Sequence, residues 1–359
     1  MSNILILSHT QGNSDFKIGS HHYANGLSKL GYEVFYSGIP KTIFHKLFRK
    51  QKVSSNKLDS TVSNLQIDAI FPLTMPMGYL TKTVNPCLFT LFERNRQLKK
   101  IPFQMIICDS PFFYPLLRKI KFDRLYYRPT DNYQAMVGEK AGEYERKMCE
   151  ESKVIICTSQ TVAENIIKKY SVNEKKVKII TNGYDSEHFF KIDTCCERKN
   201  ALYIGALDYR FDFEALSRLA QENKEVIFDI YGPIENKYKE TISKIEELGN
   251  VFFHGNIDYR ETNEVMNKYK VGLLLLKPLP SNLGRSPMKL WEYLASGLNV
   301  IYSNLDNMDK CNKLFRYENY EDMMFKFNTA NSYVGEMDEQ TLYRNSWREK
   351  VIKINTMII

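Results

Sequence analysis

The sequence predicts an α/β protein built from two open, parallel-sheet domains. Three observations carry this. At 359 residues the chain is about twice the length of a usual domain. Short runs rich in β-branched and aromatic residues alternate with longer helical runs, the pattern of a parallel sheet covered on both faces. The alternation stops at a polar, irregular stretch running from Asn182-Gly183-Tyr184-Asp185 through Asn200, and then starts again.

In the first half, Asn3 to Ser8 reads as a buried strand, Ile18 to Leu30 as a helix ended by Gly31, and Glu33 to Ser37 as the next strand. Further strands are predicted at Ala69 to Pro72, Gln104 to Cys108, Leu125 to Arg128, Val154 to Thr158 and Lys178 to Thr181, with helices at Gly138 to Glu151 and Gln160 to Tyr170. In the second half the order is strand Ala201 to Gly205, helix Phe213 to Glu222, and strands Val226 to Tyr231 and Val251 to His254. A helix Thr262 to Tyr269, a strand Val271 to Leu276, a helix opening at Pro287 and a strand Asn299 to Tyr302 follow. The expected domains are 1–185 and 198–338, with 339–359 as a terminal segment. In such sheets ligands bind beyond the carboxyl ends of the strands, and the two edges are expected to face each other across a cleft.

The net charge of +8 is unevenly placed. Residues 1–130 hold 18 Lys and Arg against 7 Asp and Glu, whereas residues 191–359 hold 23 against 25. The excess in the first part suggests an anionic surface or substrate there. The apolar start Ile4-Leu5-Ile6-Leu7 is strand-sized and has no basic leader, and nowhere do about 18 apolar residues run together, so a cytosolic location is expected. Seven cysteines without a CxxC pair read as reduced structural thiols, and no metal site is expected.

The most informative segment is Arg285-Ser286-Pro287-Met288-Lys289-Leu290-Trp291-Glu292. Ser286 is a good N-cap and Pro287 suits the first helical position. The unpaired N–H groups of the first turn, the positive end of the helix dipole and Lys289 together form an anion site. Glu292 lies about one turn further along the same face, where a carboxylate accepts hydroxyl hydrogen bonds. Phosphate donors followed by a diol acceptor describe a nucleotide site. A capped helix with a Lys–Glu surface pair fits the segment equally well.

Taken in order, these landmarks resemble the GT-B glycosyltransferases. Asn182-Gly183-Tyr184-Asp185 with Phe189 looks like their NGxD…F crossover, and Ala201-Leu202-Tyr203-Ile204-Gly205 like the first strand and tight turn of their nucleotide domain. Ser286 to Gly297 is similar to their nucleotide-binding helix, and Asn345-Ser346-Trp347 with Arg348 to Ile359 to their terminal helix. Within that fold, Tyr127-Arg128-Pro129-Thr130-Asp131-Asn132 resembles the YRxSD strand end of the xanthan-type membrane-associated β-glucuronosyltransferases and the related teichuronic-acid glycosyltransferases. Ser286-Pro287-Met288-Lys289-Leu290 resembles their SSMKL.

The resemblance implies two facing Rossmann-like domains with a C-terminal helix crossing back to the first. It also implies transfer of a sugar from a UDP-sugar, UDP-glucuronate among the options, without a metal or other cofactor. There are departures. Many retaining members carry two glutamates eight residues apart, and the position eight before Glu292 is Gly284. The glucuronosyltransferases have glutamine where this chain has Glu292, and their tyrosine near the diphosphate has no clear match in Leu275-Leu276-Lys277-Pro278.

Inversion needs a general base for the acceptor hydroxyl and electrostatic stabilisation of the departing diphosphate. Asp131, placed by the resemblance after the strand Leu125 to Arg128, is the expected base; a helix N-cap is its plainer role. Asp109, His21 and His22 are acceptor-side candidates, with turn formation at Asp109-Ser110-Pro111 and ordinary helix positions for the histidines as the alternatives. On the donor side, Gly205 and Ala206 permit close backbone approach to a diphosphate, with Leu207 nearby. Backbone at Asn256 and Ile257 is expected at the uracil. Lys289 and Ser286 are expected at phosphate, Met288 packed on the nucleotide, Glu292 at ribose, and Arg285 or Lys277 at an acidic sugar.

Residues 41–52 place Ile43, Phe44, Leu47 and Phe48 at helical spacing among Lys41, Lys46, Arg49, Lys50 and Lys52. Residues 88–100 place Phe89, Leu91 and Phe92 before Arg94, Arg96, Lys99 and Lys100. Each reads as a basic amphipathic stretch suited to an anionic bilayer, or as a helix packed on the sheet. The first reading implies a peripheral protein on the inner face of the cell membrane and a polyprenyl-diphosphate-linked saccharide acceptor for surface polysaccharide. The rival enzymes are a retaining GT-B transferase and a nucleotide-sugar epimerase. A nicotinamide oxidoreductase is disfavoured because no GxGxxG follows either first strand. A basic nucleic-acid-binding protein is disfavoured by the lack of a recognisable binding module.

Overall fold

The computed structural model describes residues 2–14, 17–42, 56–73, 80–130, 133, 139–193, 197–280, 282–305 and 311–358. They form two compact units, one of residues 1–181 with 351–359 and one of residues 182–350.

The first unit contains β1 (Asn3–Leu7), α1 (Gly19–Lys29), β2 (Glu33–Ser37), β3 (Ser63–Asn64), α2 (Glu93–Lys100), β4 (Pro102–Cys108), β5 (Lys121–Tyr127), α3 (Glu139–Glu151), β6 (Val154–Cys157), α4 (Gln160–Tyr170) and β7 (Val177–Ile179). Among the described residues the strands form one parallel sheet in the order β3-β2-β1-β4-β5-β6-β7. Leu7 pairs with Cys108 and Cys108 with Tyr127, so the carboxyl ends of the three central strands are level. Leu5, Leu7, Ile106, Cys108, Leu125 and Tyr127 face a core closed by Met148 of α3 and Ile166 of α4.

The predicted strand Ala69 to Pro72 is not one. Only Asp68–Ala69 is extended, and it pairs with Lys41–Thr42 outside the main sheet, whose edge beside β2 is taken by β3. The cause is side-chain capture of the backbone. Asn85 Oδ1 accepts from the N–H groups of Ile70 and Phe71, and Asn95 bonds both the N–H and the carbonyl of Asp68. Amides so occupied cannot join a ladder.

The second unit contains β8 (Lys199–Ile204), α5 (Phe213–Glu222), β9 (Phe228–Tyr231), α6 (Lys239–Glu246), β10 (Val251–Gly255), β11 (Tyr269–Leu274), α7 (Met288–Ala295), β12 (Asn299–Tyr302), β13 (Leu314–Arg316) and α8 (Tyr320–Ser332). Its parallel strands run in the order β10-β9-β8-β11-β12-β13. One face of the sheet, with Ala201, Phe228 and Ile230, packs on α5, α6 and α8; the other, with Leu202, Ile204 and Val300, packs on α7. The helix predicted over Thr262 to Tyr269 ends at Met266, and Tyr269 already opens β11.

The chain passes from the first unit to the second after Thr181 and returns at Val351. The Asn182-Gly183-Tyr184 segment is built into the second unit: Asn182 N–H donates to Ser286 Oγ at 2.8 Å, and Tyr184 N–H to the Asn345 carbonyl at 3.0 Å. The last helix, α9 (Trp347–Ile358), begins in the second unit, and its final residues belong to the first. There Tyr32 Oη donates to Asn355 Oδ1, and Tyr126 Oη and Arg124 to the carbonyls of Met357 and Ile358. A Cβ on Gly26 would lie 2.5 Å from a Val351 methyl, so α1 needs glycine where the helix crosses it.

Candidate active site

In the first unit the polar side chains gather where β1, β4 and β5 end. Asp109 and Arg128 each follow a strand by one residue and continue the ladder: Asp109 N–H donates to the Leu7 carbonyl and Arg128 N–H to the Cys108 carbonyl, both at 2.8 Å. Their side chains are buried and form an ion pair, Nη1 to Oδ2, at 3.2 Å. The guanidinium carbon lies 5.0 Å from the ring centre of Tyr23 in α1. Burial pushes the Tyr23 phenol up to about 12, against the lowering effect of Arg128. Tyr133 Oη donates to the Asp109 carbonyl at 2.5 Å and lies 2.8 Å from Thr130 Oγ1, so the chain beyond β5 is tied back to the end of β4.

His21 is fully buried, and its ring is accounted for. Nδ1 accepts from the Ile18 N–H at 3.0 Å, which leaves the proton on Nε2, 2.9 Å from the Gln11 carbonyl. Burial lowers its pKa to about 4, only partly offset by the Gln11 bond and the Asp109 charge. His21 is therefore a neutral clamp on the loop that follows β1. Its ring stacks on Tyr36, with centroids 5.2 Å apart. His22 is buried on the next position of α1. Asp131 lies outside the described residues.

In the second unit three glycines mark adjacent strand ends. Gly205 N–H donates to the Tyr231 carbonyl at 2.9 Å, and Gly232 N–H to the Gly255 carbonyl at 2.7 Å. A Cβ on Gly232 would stand 1.8 Å from the Gly205 carbonyl oxygen, and its φ is +141°. The strand ends thus pack backbone against backbone, with Gly232 buried against the Gly205 carbonyl; Gly232 was not among the sequence candidates, although Tyr231-Gly232-Pro233 directly follows a predicted strand. Ala206 is exposed, while Leu207 is buried, its N–H donating to the Pro233 carbonyl. Asn256 and Ile257 follow β10, the first exposed and the second half-buried.

Helix α7 starts one residue later than predicted. Pro287, not Ser286, is the N-cap, and no side chain caps the helix. Ser286 is unavailable for capping because its hydroxyl accepts from Asn182 N–H and its carbonyl from Asn182 Nδ2. Proline has no side-chain acceptor to offer the first-turn amides, so the positive end of the dipole lacks a capping oxygen from its N-cap residue. Met288 opens the helix, half-buried. Lys289 Nζ lies 2.7 Å from Glu292 Oε2; the lysine is part-exposed, but the glutamate is buried, so the surface-pair reading fails for Glu292. Tyr293 anchors the helix to the sheet: its Oη accepts from the Ile204 N–H at 2.7 Å, and its ring fills the space a Cβ on Gly272 would need.

Beyond Leu207, Asp208 accepts two-pronged bonds from Arg210. Burial alone would raise the Asp208 carboxyl, but those bonds and the Arg285 charge hold it below its ordinary value. Arg285 therefore sits in the field of Asp208. Lys277 lines a separate cavity of about 680 Å³ with Asp212, Tyr238, Lys244 and Tyr320. Neither Asp208 nor Arg210 was singled out from sequence, where an isolated Asp-Tyr-Arg reads as a loop.

In residues 88–100, Phe89 and Leu98 are buried in the first core, while Arg94, Arg96, Lys99, Lys100 and Leu91 are exposed. The helix is broken at the extended Phe92, so the stretch is a single 3₁₀ turn followed by α2. Residues 43–52 of the other basic stretch lie outside the described residues. No helix among the described residues is long and apolar enough to cross a membrane.

Residues 21–188 match the model of Glycosyltransferase Family 4. Over 228 residues the chain is 25% identical to TuaH of Bacillus subtilis (strain 168), provisionally assigned as a teichuronic acid biosynthesis glycosyltransferase; the match spans 58% of this chain and 57% of TuaH. The chain thus matches little more than half the length of that curated relative. The fold is similar to sucrose-phosphate synthase from Thermosynechococcus elongatus, with a TM-score of 0.73 at 14% identity over 99% of this chain and 98% of that one. It is also similar to Anabaena HepE in complex with UDP and glucose, with a TM-score of 0.64 at 12% identity over 100% and 98%. These likenesses show the fold, two parallel-sheet Rossmann-like units of GT-B type, as expected from sequence. The matching family and TuaH are glycosyltransferases.

Proposed function

We propose that this GT-B glycosyltransferase moves a sugar from a UDP-sugar, UDP-glucuronate being one option, to a lipid-linked saccharide at the inner face of the cell membrane. The observation that carries the donor side is the opening of α7. A first turn without a side-chain cap, Lys289 in that turn and a buried Glu292 beside it combine anion donors with a hydroxyl acceptor. Gly205, half-buried and without a side chain in the same unit, suits close approach of a diphosphate. HepE, of similar fold, is recorded with UDP, which supports a nucleotide-sugar donor.

The dipole of α7, Lys289 and Arg285 offset the charge that develops on the leaving diphosphate, so no metal or cofactor is required. Ser286 presents its neighbouring amides to phosphate, Met288 packs on the nucleotide, and Glu292 accepts from the ribose hydroxyls. Asn256 and Ile257 hold the base. Asp131 takes the proton of the attacking hydroxyl, and transfer proceeds with inversion. Asp109 and His22 shape the acceptor side, with His21 holding the loop beside them. The exposed Arg94, Arg96, Lys99 and Lys100, together with the basic residues in the 41–52 sequence, attract anionic lipid, each contributing roughly 1 kcal/mol.

The test is a donor panel of UDP, GDP and dTDP sugars read by nucleotide release, with UDP affinity measured by calorimetry. UDP-sugars are expected to be turned over. Lys289→Ala is expected to weaken UDP binding about tenfold or more, the loss of one charge-assisted hydrogen bond. Unchanged affinity would place the phosphate site elsewhere. An Asp131→Asn variant that folds and transfers sugar at the parent rate would remove Asp131 as the base. Flotation with anionic vesicles at low salt tests the membrane surface, and absence of binding overturns that part.

A further inference from the structure

Helices α5 and α6 pack on the same face of the second sheet, yet they leave a cavity of about 680 Å³ between them. The facing positions explain the gap. Glu214, Ser217 and Gln221 recur at i, i+3 and i+7 on α5, and Thr241, Lys244 and Ile245 at i, i+3 and i+4 on α6, so each helix turns one stripe toward it. Apolar side chains there would interlock and close it, as between ordinary packed helices, but of these six only Ile245 is apolar. The rim is held firmly. Asp212 N–H donates to the Leu275 carbonyl at 3.0 Å, Lys277 N–H to the Arg210 carbonyl at 2.9 Å, and Tyr320 Oη to Asp212 Oδ2 at 3.3 Å. The Tyr238 ring rests on Phe213 with centroids 4.8 Å apart, and the Arg218 guanidinium carbon lies 4.6 Å from the Tyr320 ring centre. A second cavity of about 360 Å³, on the side of α5 toward α8, shares Gln221 and Tyr320 with the first, so the two meet at those side chains.

The lining sorts occupants by their chemistry. Asp212 and Glu214 balance Lys244 and Lys277, and most of these charges are already engaged: Lys244 with Glu240 at 2.8 Å, Glu214 with Arg218 at 2.7 Å, and Asp212 with the Ala215 N–H and Tyr320. A nucleotide or a metal ion, which needs charge of one sign gathered in one place, fits poorly. By contrast, the side chains of Ser217, Gln221 and Thr241 make no hydrogen bond to another described residue, and they stand beside two half-buried tyrosine rings. A sugar matches that lining, with hydroxyls that both donate and accept round its rim and C–H faces that lie flat on aromatic rings. We propose that this groove of the second unit binds an uncharged oligosaccharide, with Tyr238 and Tyr320 against its C–H faces and Ser217, Gln221 and Thr241 bonded to its hydroxyls. Two cavities meeting at Gln221 and Tyr320 suit a chain of sugars. None of the residues assigned above to donor, base or acceptor lines the groove.

The experiment applies the full chain, in saturating UDP, to a printed array of uncharged, acidic and phosphorylated oligosaccharides, and titrates the best uncharged binder by calorimetry. At least one uncharged oligosaccharide is expected to bind, and UDP is not expected to displace it. Thr241→Trp places a ring in the gap from an exposed position of α6, so it is expected to weaken that binding about tenfold or more while the melting temperature and UDP affinity stay at the parent values. Tyr238→Ala removes one ring and is expected to lose a similar factor at a temperature where it is folded. An array that holds only acidic or phosphorylated saccharides, or none, overturns the proposal. Parent affinity in Thr241→Trp, or in folded Tyr238→Ala, also overturns it, since the saccharide then sits elsewhere. A chain that holds the oligosaccharide through Tyr238 and Thr241 but binds no UDP supports the groove and sinks the donor reading alone.

Discussion

Replacing Gly232 by alanine tests the backbone packing at the strand ends of the second unit. The new Cβ would lie 1.8 Å from the Gly205 carbonyl oxygen and 2.7 Å from its carbon, both backbone atoms that no rotamer change can clear. The residue would also hold φ at +141°, a region costing a non-glycine residue about 1–3 kcal/mol. To reach ordinary contact the two strand ends must separate by more than 1 Å, roughly, which breaks or stretches the bonds from Gly205 N–H to Tyr231 and from Gly232 N–H to Gly255, about 1 kcal/mol each. Together these give a loss of about 3–5 kcal/mol, or on the order of 6–20 °C in melting temperature for a unit of this size. Gly249→Ala is the control: its φ is also positive, at +82°, but a Cβ there meets nothing within 4 Å, so about 1 kcal/mol is expected from backbone conformation alone. The assay is thermal unfolding by circular dichroism with UDP calorimetry at a temperature where both variants are folded. Gly232→Ala is expected to melt well below Gly249→Ala and to bind UDP more weakly, because its damage is to the Gly205 edge. Equal melting temperatures, or parent UDP affinity in Gly232→Ala, would refute the reasoning.

Other predictions follow from buried groups. His21 is neutral in the fold, with a pKa of about 4 against an ordinary 6.5, so its contribution is full above pH 6.5 and is lost as pH falls toward 4, where the loss levels off at about 3 kcal/mol. Urea unfolding at pH 7, 5 and 4 measures this, and a His21→Asn variant is expected to show a flatter profile. Glu145 is buried, accepts from Tyr127 Oη and Tyr170 Oη at 2.8 Å each, and is raised by burial against those bonds. Its raised carboxyl favours the fold at low pH and costs stability as pH rises through the folded value, so Glu145→Gln is expected to be at least as stable as the parent at pH 7, with the difference closing at acid pH. Ile354 in α9 is fully buried in the first unit, and Ile354→Ala is expected to cost 2–5 kcal/mol, roughly, by denaturant unfolding.

Much of this architecture is a local matter and can be read along the chain. Runs such as Ile4-Leu5-Ile6-Leu7 and Val154-Ile155-Ile156-Cys157 are apolar throughout because both faces of a parallel strand are covered, and helical periodicity between them marks the units. The helix opening before Lys289 was legible for the same reason: capping chemistry acts over three or four residues. Its details were not. Ser286 has the right hydroxyl for a cap, but Asn182, 104 residues away in sequence, occupies it.

Sequence by itself determined the fold class, the two parallel sheets and the strand ends where polar residues and glycines gather, since hydrophobic period and turn chemistry are set by neighbours in the chain. Tertiary structure alone decided which residues meet at those ends. It brought the Gly205 carbonyl against Gly232, took the backbone of residues 68–71 from the sheet through Asn85 and Asn95, and closed Arg128 on Asp109 under Tyr23. Each of these is a contact between separate strands, helices or loops, and its energy exists only once the sheet has set their register.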